Sequence, residues 1–236
     1  MSNNRPLFDI CIPVYQRTKN LRRVLDSIVA SCPPHYEAAP PFRVHIVHQA
    51  PEQQEVDSIE SSYPWWIESH VVDYSCTSFS QKQNFAYLVW GVAPYFVCAA
   101  DDVVFHKSWA AEAMHAFLTT GAGVLGTNDL GNPNTKSGMF STHPIVARWY
   151  AKQHPVGPGE PLFWEGYRHN CCDLELAARA KKLGLWAHAP KCIIEHLHPA
   201  WGRAKRDRVY DVGEASHSED WKKWEARSRQ FGWSLL

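Results

Sequence analysis

Short apolar runs alternate along the first half of the chain with segments of helical periodicity. Runs typical of strands buried on both faces are found at residues 8–14, 42–47, 67–72 and 95–99. The first helix is predicted from the spacing of Leu21, Val24, Leu25 and Ile28. Strands that alternate with helices predict an α/β fold with a mostly parallel, doubly wound sheet flanked by helices.

The second half of the chain has a less regular pattern. Further helices are predicted at residues 80–90, 108–118, 172–183 and 218–231. Residues 121–159 are rich in Gly, Pro, Asn and Thr, which indicates irregular loops around a short strand or two. Ile193 and Ile194 predict one last short strand. At 236 residues the chain suits one large domain, which we place at 1–199, with a basic loop and helix at 200–236 packed on it.

Charge and cysteine content exclude some classes of partner and compartment. Lys plus Arg equals Asp plus Glu at 24 each, so no overall field draws the protein to nucleic acid or an anionic membrane. The seven cysteines are odd in number and contain no CxxC pair, which favours a reducing, cytoplasmic location. The first residues lack a signal peptide's layout, and the longest apolar stretch, 87–100, is too short for a membrane segment.

Two adjacent carboxylates, Asp101 and Asp102, end the strand at 95–99. Ligands of open α/β sheets bind at the carboxyl ends of the strands, so this pair is expected in the binding crevice. Buried carboxylates need a cationic partner, and Mg²⁺ or Mn²⁺ completed by substrate phosphates would supply it. The alternative is that one of them caps the helix that begins near Ser108.

Two histidines, His196 and His198, follow the last predicted strand. If the strand continued, they would point to opposite sides, so at most one of them would reach the same metal ion. Imidazole joins carboxylates around Mn²⁺, and we favour His196 as the ligand over His198. A purely structural role for both histidines remains open.

Asp173 and Glu175 open the helix predicted at 172–183. Helix N-termini stabilise negative charge, which is one explanation for both acids. The other is that a carboxylate held there accepts the proton of an attacking hydroxyl as a general base. The two positions are about 200° apart around a helix, so only one of them can face a substrate.

Taken in order, five motifs resemble the inverting family-two glycosyltransferases of GT-A fold. They are Ile12-Pro13-Val14-Tyr15-Gln16-Arg17, Ser80-Gln81-Lys82-Gln83-Asn84, Asp101-Asp102, Cys172-Asp173 and His196 after its strand. The resemblance extends to about Pro199. It implies a metal-dependent transfer of a hexosyl or pentosyl group from a nucleotide-diphosphate sugar, with a UDP-sugar as the expected donor and Mn²⁺ or Mg²⁺ as the cofactor.

The resemblance also implies roles for individual residues. Asp102 and His196 would bind the metal, and Asp173 would be the catalytic base. The donor would be contacted by Pro13, Val14, Tyr15, Arg17, Lys82, Asn84, Asp101, Arg203 and Lys205. Of these, Lys82 and the basic run at 203–206 would neutralise the leaving diphosphate, unless that run is only a solvated surface segment.

The chain departs from the family pattern at three places. Ala100 stands where the first aspartate of the D-x-D motif is usual, so Asp101 substitutes for it or the metal is held less tightly. His48-Gln49 replaces an aspartate that binds the nucleobase of the donor, which weakens the expectation of uridine. Cys172 replaces the glutamate that precedes the catalytic base, Asp173.

These departures motivate an alternative, a catalytically impaired nucleotide- or carbohydrate-binding protein of the same fold. A nucleotidyltransferase ranks lower, since residues 16–19 contain no glycine. A glycan, a lipid-linked sugar, a protein or modified DNA all stay open as the acceptor.

Overall fold

The computed structural model describes residues 6–32 and 41–235. Its eight strands are β1 (Phe8–Pro13), β2 (Phe42–His48), β3 (Ile67–Val71), β4 (Tyr95–Cys98), β5 (Val103–Phe105), β6 (Val124–Asn128), β7 (Ile145–Ala147) and β8 (Trp186–His196). They form one sheet in the order β3-β2-β1-β4-β7-β6-β8-β5.

Nine α-helices accompany the sheet in the described part of the chain. They are α1 (Thr18–Ser31), α2 (Gln53–Glu60), α3 (Phe79–Val89), α4 (Trp109–Thr120), α5 (Pro133–Lys136), α6 (Arg148–Gln153), α7 (Cys172–Lys182), α8 (Arg208–Ala215) and α9 (His217–Phe231). Within residues 6–32 and 41–235, none of the helices is long and apolar enough to cross a bilayer.

The first half of the sheet is parallel, as the alternation of strands and helices predicts. β1 pairs in parallel with both β2 and β4, and β2 pairs in parallel with β3. The four apolar residues at helical spacing in α1 are all buried. Beside β1, the rings of Phe8 and Phe42 lie with their centroids 5.1 and 5.2 Å from that of Trp109, so α4 closes this part of the core. The α/β class is confirmed.

The second half of the sheet adds antiparallel strands. β7 runs antiparallel to both β4 and β6, and β5 runs antiparallel to β8. The prediction of a short strand around Ile193 and Ile194 was wrong in length, because β8 begins at Trp186 and has 11 residues. His188, Pro190 and Lys191 interrupt the apolar residues before Ile193, so no continuous apolar run marks the start of the strand, which pairs in parallel with β6.

The C-terminal helix α9 is joined to the rest of the chain by buried charges. The Arg227 guanidinium donates to both carboxylate oxygens of Glu175 in α7 at 2.7 and 2.8 Å. Asp220 is fully buried and accepts from three consecutive backbone N–H groups, those of residues 168–170, at 2.8 to 2.9 Å. The loop that leads into α7 is therefore held by α9.

Candidate active site

A cavity of about 1150 Å³ opens at the carboxyl ends of β1 and β4. This is the edge where open α/β sheets bind ligands. Its wall includes the loop after β1, the turn between β4 and β5, and the start of α7. Side chains of α8 and α9 close the other side.

Strand pairing brings His196 to Asp102. The antiparallel register of β5 and β8 places Val103 opposite His196, and the N–H of Leu197 donates to the carbonyl of Asp102 at 2.8 Å. As a result His196 Nε2 lies 3.5 Å from Asp102 Oδ1. The sequence-based grouping of these two residues thus matches their positions in the structure.

A third residue, His143, completes this group and was missed by the sequence analysis. It precedes β7, whose pairing with β4 lets the Cys98 N–H donate to the carbonyl of Pro144 at 3.0 Å. One ligand atom from each of Asp102, His143 and His196 lies within 4.8 Å of the others. The one available signal was a histidine two residues before the short apolar run Ile145–Ala147, inside a stretch rich in turn residues.

The proton positions in this group suit a metal site. His143 Nδ1 lies 3.3 Å from the carbonyl oxygen of Cys98, which can only accept, so Nδ1 carries the proton and Nε2 keeps its lone pair. Among the described residues, neither His143 Nε2 nor His196 Nδ1 has a hydrogen-bond partner although both are buried. One carboxylate and two imidazoles are a donor set that Mn²⁺ accepts. The residues therefore fit a divalent cation.

The charges of Asp102, His143 and His196 shift one another's pKa values. Burial alone would raise the pKa of Asp102, but His196, His143 and Arg17 hold it below its ordinary value. Burial likewise lowers the pKa of His196, and Asp102 reverses this and raises it. Burial and the neighbouring His196 lower the pKa of His143 to about 4. Asp102 and His196 thus favour each other's charged form, beside a neutral His143.

Arg17 ties this group to α8. Its guanidinium donates to Asp102 Oδ2 at 3.2 Å and to Asp207 at 2.7 Å, and it lies 3.7 Å from the centre of the Tyr210 ring. The Tyr210 hydroxyl donates to the same Asp102 oxygen at 2.9 Å. Asp101 is 3.8 Å from Arg17, and burial together with Asp102 raises the pKa of Asp101 well above its ordinary value. One arginine is therefore shared by three carboxylates.

Asp173 lies at the start of α7 and lines the cavity. The chain enters α7 through Cys171, which has a left-handed backbone (φ 69°) that residues other than glycine seldom adopt. Burial raises the pKa of Asp173 to about 6, although the Leu174 N–H, which donates to Asp173 Oδ1 at 2.9 Å, lowers it. Glu175 points elsewhere, to Arg227 and the Tyr167 hydroxyl. Only one of the two acids faces the cavity.

Comparison with known proteins finds similarity in structure alone. No protein-family profile and no curated protein sequence matches the chain. The mannosyltransferase PcManGT from Pyrobaculum calidifontis, solved in complex with GDP-Man and Mn²⁺, aligns over 82% of this chain and 58% of its own, with a TM-score of 0.61 and 15% identity. S. aureus TarS, residues 1–349, in complex with UDP-GlcNAc, aligns over 79% and 57%, with a TM-score of 0.59 and 14% identity. This chain has the GT-A glycosyltransferase fold. It spans under three fifths of the length of either solved chain.

The GT-A cavity brings together part of the predicted donor set. Pro13, Tyr15, Arg17, Lys82 and Asp101 line it. Lys82 is buried, its ammonium donates to the Val14 carbonyl at 2.7 Å, and burial lowers its pKa. Lys82 is therefore bound to the backbone at the end of β1.

Other predicted donor residues lie outside the cavity wall. The Asn84 side chain donates to the Phe163 carbonyl and Glu165, and accepts from the N–H groups of Leu162 and Phe163, so it fixes the loop before α7. The Arg203 guanidinium donates to Glu195 at 3.1 Å, and Lys205 is exposed on the surface.

His198 lines the cavity next to His196 but has a different environment. β8 ends at His196, so the two histidines do not alternate along one strand. His198 Nδ1 instead accepts the N–H of Ala200 at 3.2 Å and caps a short 3₁₀ turn. It is not part of the group that could hold a cation in the described chain.

Proposed function

We propose that this protein is a metal-dependent, inverting glycosyltransferase that uses a nucleotide-diphosphate sugar. One observation carries the proposal: a carboxylate with two imidazoles fit for a cation shares a single cavity with a second carboxyl group, Asp173, whose pKa is about 6. The GT-A fold supports it, because solved proteins of that fold are described with GDP-Man and Mn²⁺ or with UDP-GlcNAc.

Asp102, His143 and His196 would hold Mn²⁺ or Mg²⁺. The two imidazoles favour Mn²⁺, since Mg²⁺ prefers oxygen ligands. A bound ion would neutralise the charge that develops on the leaving diphosphate. Pro13, Tyr15, Arg17 and Asp101 would contact the donor from the side of β1, while roles for Val14, Asn84, Arg203 and Lys205 stay predictions.

Asp173 would act as the general base in a single displacement. The acceptor oxygen forms a bond to the anomeric carbon as the bond from that carbon to the diphosphate oxygen breaks, and the diphosphate leaves with the electron pair. The acceptor's proton moves to the Asp173 carboxylate. A pKa of about 6 keeps this group ionised at neutral pH and still basic enough to take the proton. Attack from the side opposite the leaving group inverts the anomeric centre.

The acceptor would bind between α7 and the C-terminal helices. Trp201, in the turn after β8, and Trp221, on α9, line the cavity and both are exposed. Exposed indole faces suit the flat apolar face of a sugar or a nucleobase. A glycan, a lipid-linked sugar, a protein and modified DNA all stay open as the acceptor.

A panel of UDP- and GDP-sugars tests the proposal. The protein is incubated with each donor and Mn²⁺, and release of the nucleoside diphosphate is followed by mass spectrometry, first with water and then with candidate acceptors. We expect Mn²⁺-dependent release from one donor and its loss in Asp173→Asn. Donor binding without release in any combination would instead favour the impaired binding protein, which the departures at Ala100 and Cys172 motivate.

A further inference from the structure

A second group of imidazoles and a carboxylate lies at the edge of the sheet, away from the cavity. His45 lies on β2, and Glu68 and His70 lie on the edge strand β3, whose parallel register pairs His45 with Glu68. His45 Nδ1 is 3.1 Å from His70 Nε2, which is 4.0 Å from Glu68 Oε2. One ligand atom from each residue lies within 4.8 Å of the others, and none of the three residues lines the cavity.

A buried carboxylate sets the orientation of the His45 ring. Asp9 Oδ1 lies 3.4 Å from His45 Nε2, and Asp9 Oδ2 already accepts the N–H groups of Val92 and Ala93 at 2.5 and 2.6 Å. An ionised carboxylate can only accept, so His45 Nε2 carries the proton and Nδ1 directs its lone pair at His70. A carboxylate behind an imidazole in this way is the usual outer-shell arrangement of metal-binding histidines.

The His70 ring is also fixed in place. It stacks on Trp90 with ring centroids 3.8 Å apart and an interplanar angle of 12°. Two imidazoles bound to tetrahedral zinc, at Zn–N distances near 2.0–2.1 Å, have nitrogens about 3.3 Å apart. The observed 3.1 Å therefore matches either two zinc ligands or one shared proton. In the zinc site Glu68 would be a third ligand, whereas a shared proton between the two histidines does not involve Glu68.

We propose that His45, Glu68 and His70 bind a divalent transition-metal ion such as Zn²⁺, with water as the fourth ligand. Two imidazoles and one carboxylate are a common ligand set for Zn²⁺. The Glu68 side chain is 39% exposed, which leaves an entry path and room for the water. Arg43 approaches only Glu68 Oε1, at 3.8 Å, so Oε2 is the oxygen that faces His70. The ion would connect the edge strand β3 to β2 and is independent of the proposed catalytic ion.

Zinc stoichiometry of the full chain tests the proposal. Chelator-treated protein is titrated with Zn²⁺ against a chromophoric competitor, for the natural chain, His70→Gln, Glu68→Gln and His143→Gln. His115→Gln is the matched control, since His115 is exposed on α4. We expect His70→Gln to bind one zinc ion fewer, Glu68→Gln to bind it at least about tenfold more weakly, and the control to match the natural chain.

The outcomes separate this proposal from the catalytic one. An unchanged stoichiometry and affinity in a folded His70→Gln would overturn the edge site, and the His45–His70 contact would be a hydrogen bond only. If circular dichroism shows that His70→Gln does not fold, Glu68→Gln decides alone, and unchanged zinc affinity in it overturns the site. A failure of the catalytic cluster would appear elsewhere, as unchanged binding in His143→Gln.

Discussion

The two clusters of imidazoles and carboxylates differ in which member is buried and in what they face. In the cavity cluster (Asp102, His143 and His196) the carboxylate is buried, with 8% of its side chain exposed. In the edge cluster (His45, Glu68 and His70) the carboxylate is 39% exposed and His45 is fully buried. The cavity cluster faces about 1150 Å³ of open space, whereas in the edge cluster Trp90 stacks on His70.

The surrounding charges differ as well. Around the cavity cluster, Asp101, Asp173 and Asp207 add further acids, and Arg17 is shared among three carboxylates. At the edge cluster the one buried acid, Asp9, is already satisfied by two backbone N–H groups and Arg148. An acid-rich site that lines a large cavity suits an ion that also binds donor phosphates, while a site at the sheet edge with few surrounding charges suits a structural ion.

The largest effect is expected from Asp102→Ala. Loss of the metal's charge stabilisation, worth several kcal/mol, should lower the transfer rate by at least about 10³-fold. The gain in melting temperature from nucleoside diphosphate plus Mn²⁺ should also disappear, because the ion bridges protein and ligand. Thermal unfolding and transfer assays measure both. Persistence of the Mn²⁺-dependent stabilisation would contradict the assignment of Asp102.

Asp173→Asn should lower transfer by roughly two to four orders of magnitude, the span typical of a lost general base, and leave donor and Mn²⁺ affinity unchanged. In the natural chain the rate should rise as pH increases through about 6, because only the ionised carboxylate accepts a proton. Rate–pH profiles of both proteins measure this, and the variant should lack that rise. An equal loss of donor affinity would make Asp173 a ligand or a structural residue.

His143→Gln and His196→Gln should each raise the Mn²⁺ concentration needed for transfer. Loss of a residue that only supports a metal ligand costs roughly 10–100-fold in metal affinity, so loss of a ligand itself should raise the required Mn²⁺ concentration by at least that factor. His198→Gln is the control, since its Nδ1 is occupied by the Ala200 N–H. A Mn²⁺ titration of all three variants decides between them. A larger shift in His198→Gln would mean that the wrong histidine has been assigned.

Mn²⁺ affinity should decrease as pH falls. Asp102 raises the pKa of His196 above its ordinary value, so an imidazolium proton must leave before the nitrogen can bind an ion. Affinity is then highest above this raised pKa and is lost as pH falls through it. Calorimetric titrations at several pH values measure the slope, and His196→Gln should flatten it. An unchanged slope in that variant would exclude His196 as the titrating ligand.

The smallest effect on transfer is expected at the edge cluster. In Asp9→Asn the amide would donate to His45 Nε2 and shift the ring proton to Nδ1, which removes the lone pair that faces His70. Zinc affinity of the edge site should fall roughly 10–100-fold while the transfer rate stays unchanged. A fall in transfer that follows the loss of zinc would show that the two clusters are not independent.

The strands of the parallel half of the sheet could be predicted from the sequence, whereas those of the antiparallel half could be predicted only in outline. Runs such as 8–14 and 95–99 carry their own signal, because strands covered on both faces are almost entirely apolar. Asp101 and Asp102 follow from the rule that ligands bind at the carboxyl ends of such strands. The start of β8 at Trp186 has no continuous apolar run, because His188, Pro190 and Lys191 interrupt it, and the strand forms by pairing with a distant one.

Histidines from antiparallel or edge strands were the hardest to place. His143 reaches Asp102 only because β7 pairs with β4, and that pairing joins segments more than 40 residues apart. The His45–His70 contact depends in the same way on the register of β2 against β3. Local periodicity contains no information on either register, so His45, His70 and His143 cannot be recognised as neighbours until the sheet is known.

Asp220 has a consequence for where the protein can be shortened. The family resemblance stops near Pro199, which invites trimming of the chain at that point. Yet Asp220 is the acceptor for three consecutive N–H groups just ahead of Asp173, and Asp207 and Tyr210 hold Arg17 against Asp102. A chain that ends at residue 199 would lose these acceptors and leave both proposed catalytic carboxylates without their supports. The smallest active fragment should therefore extend through α9.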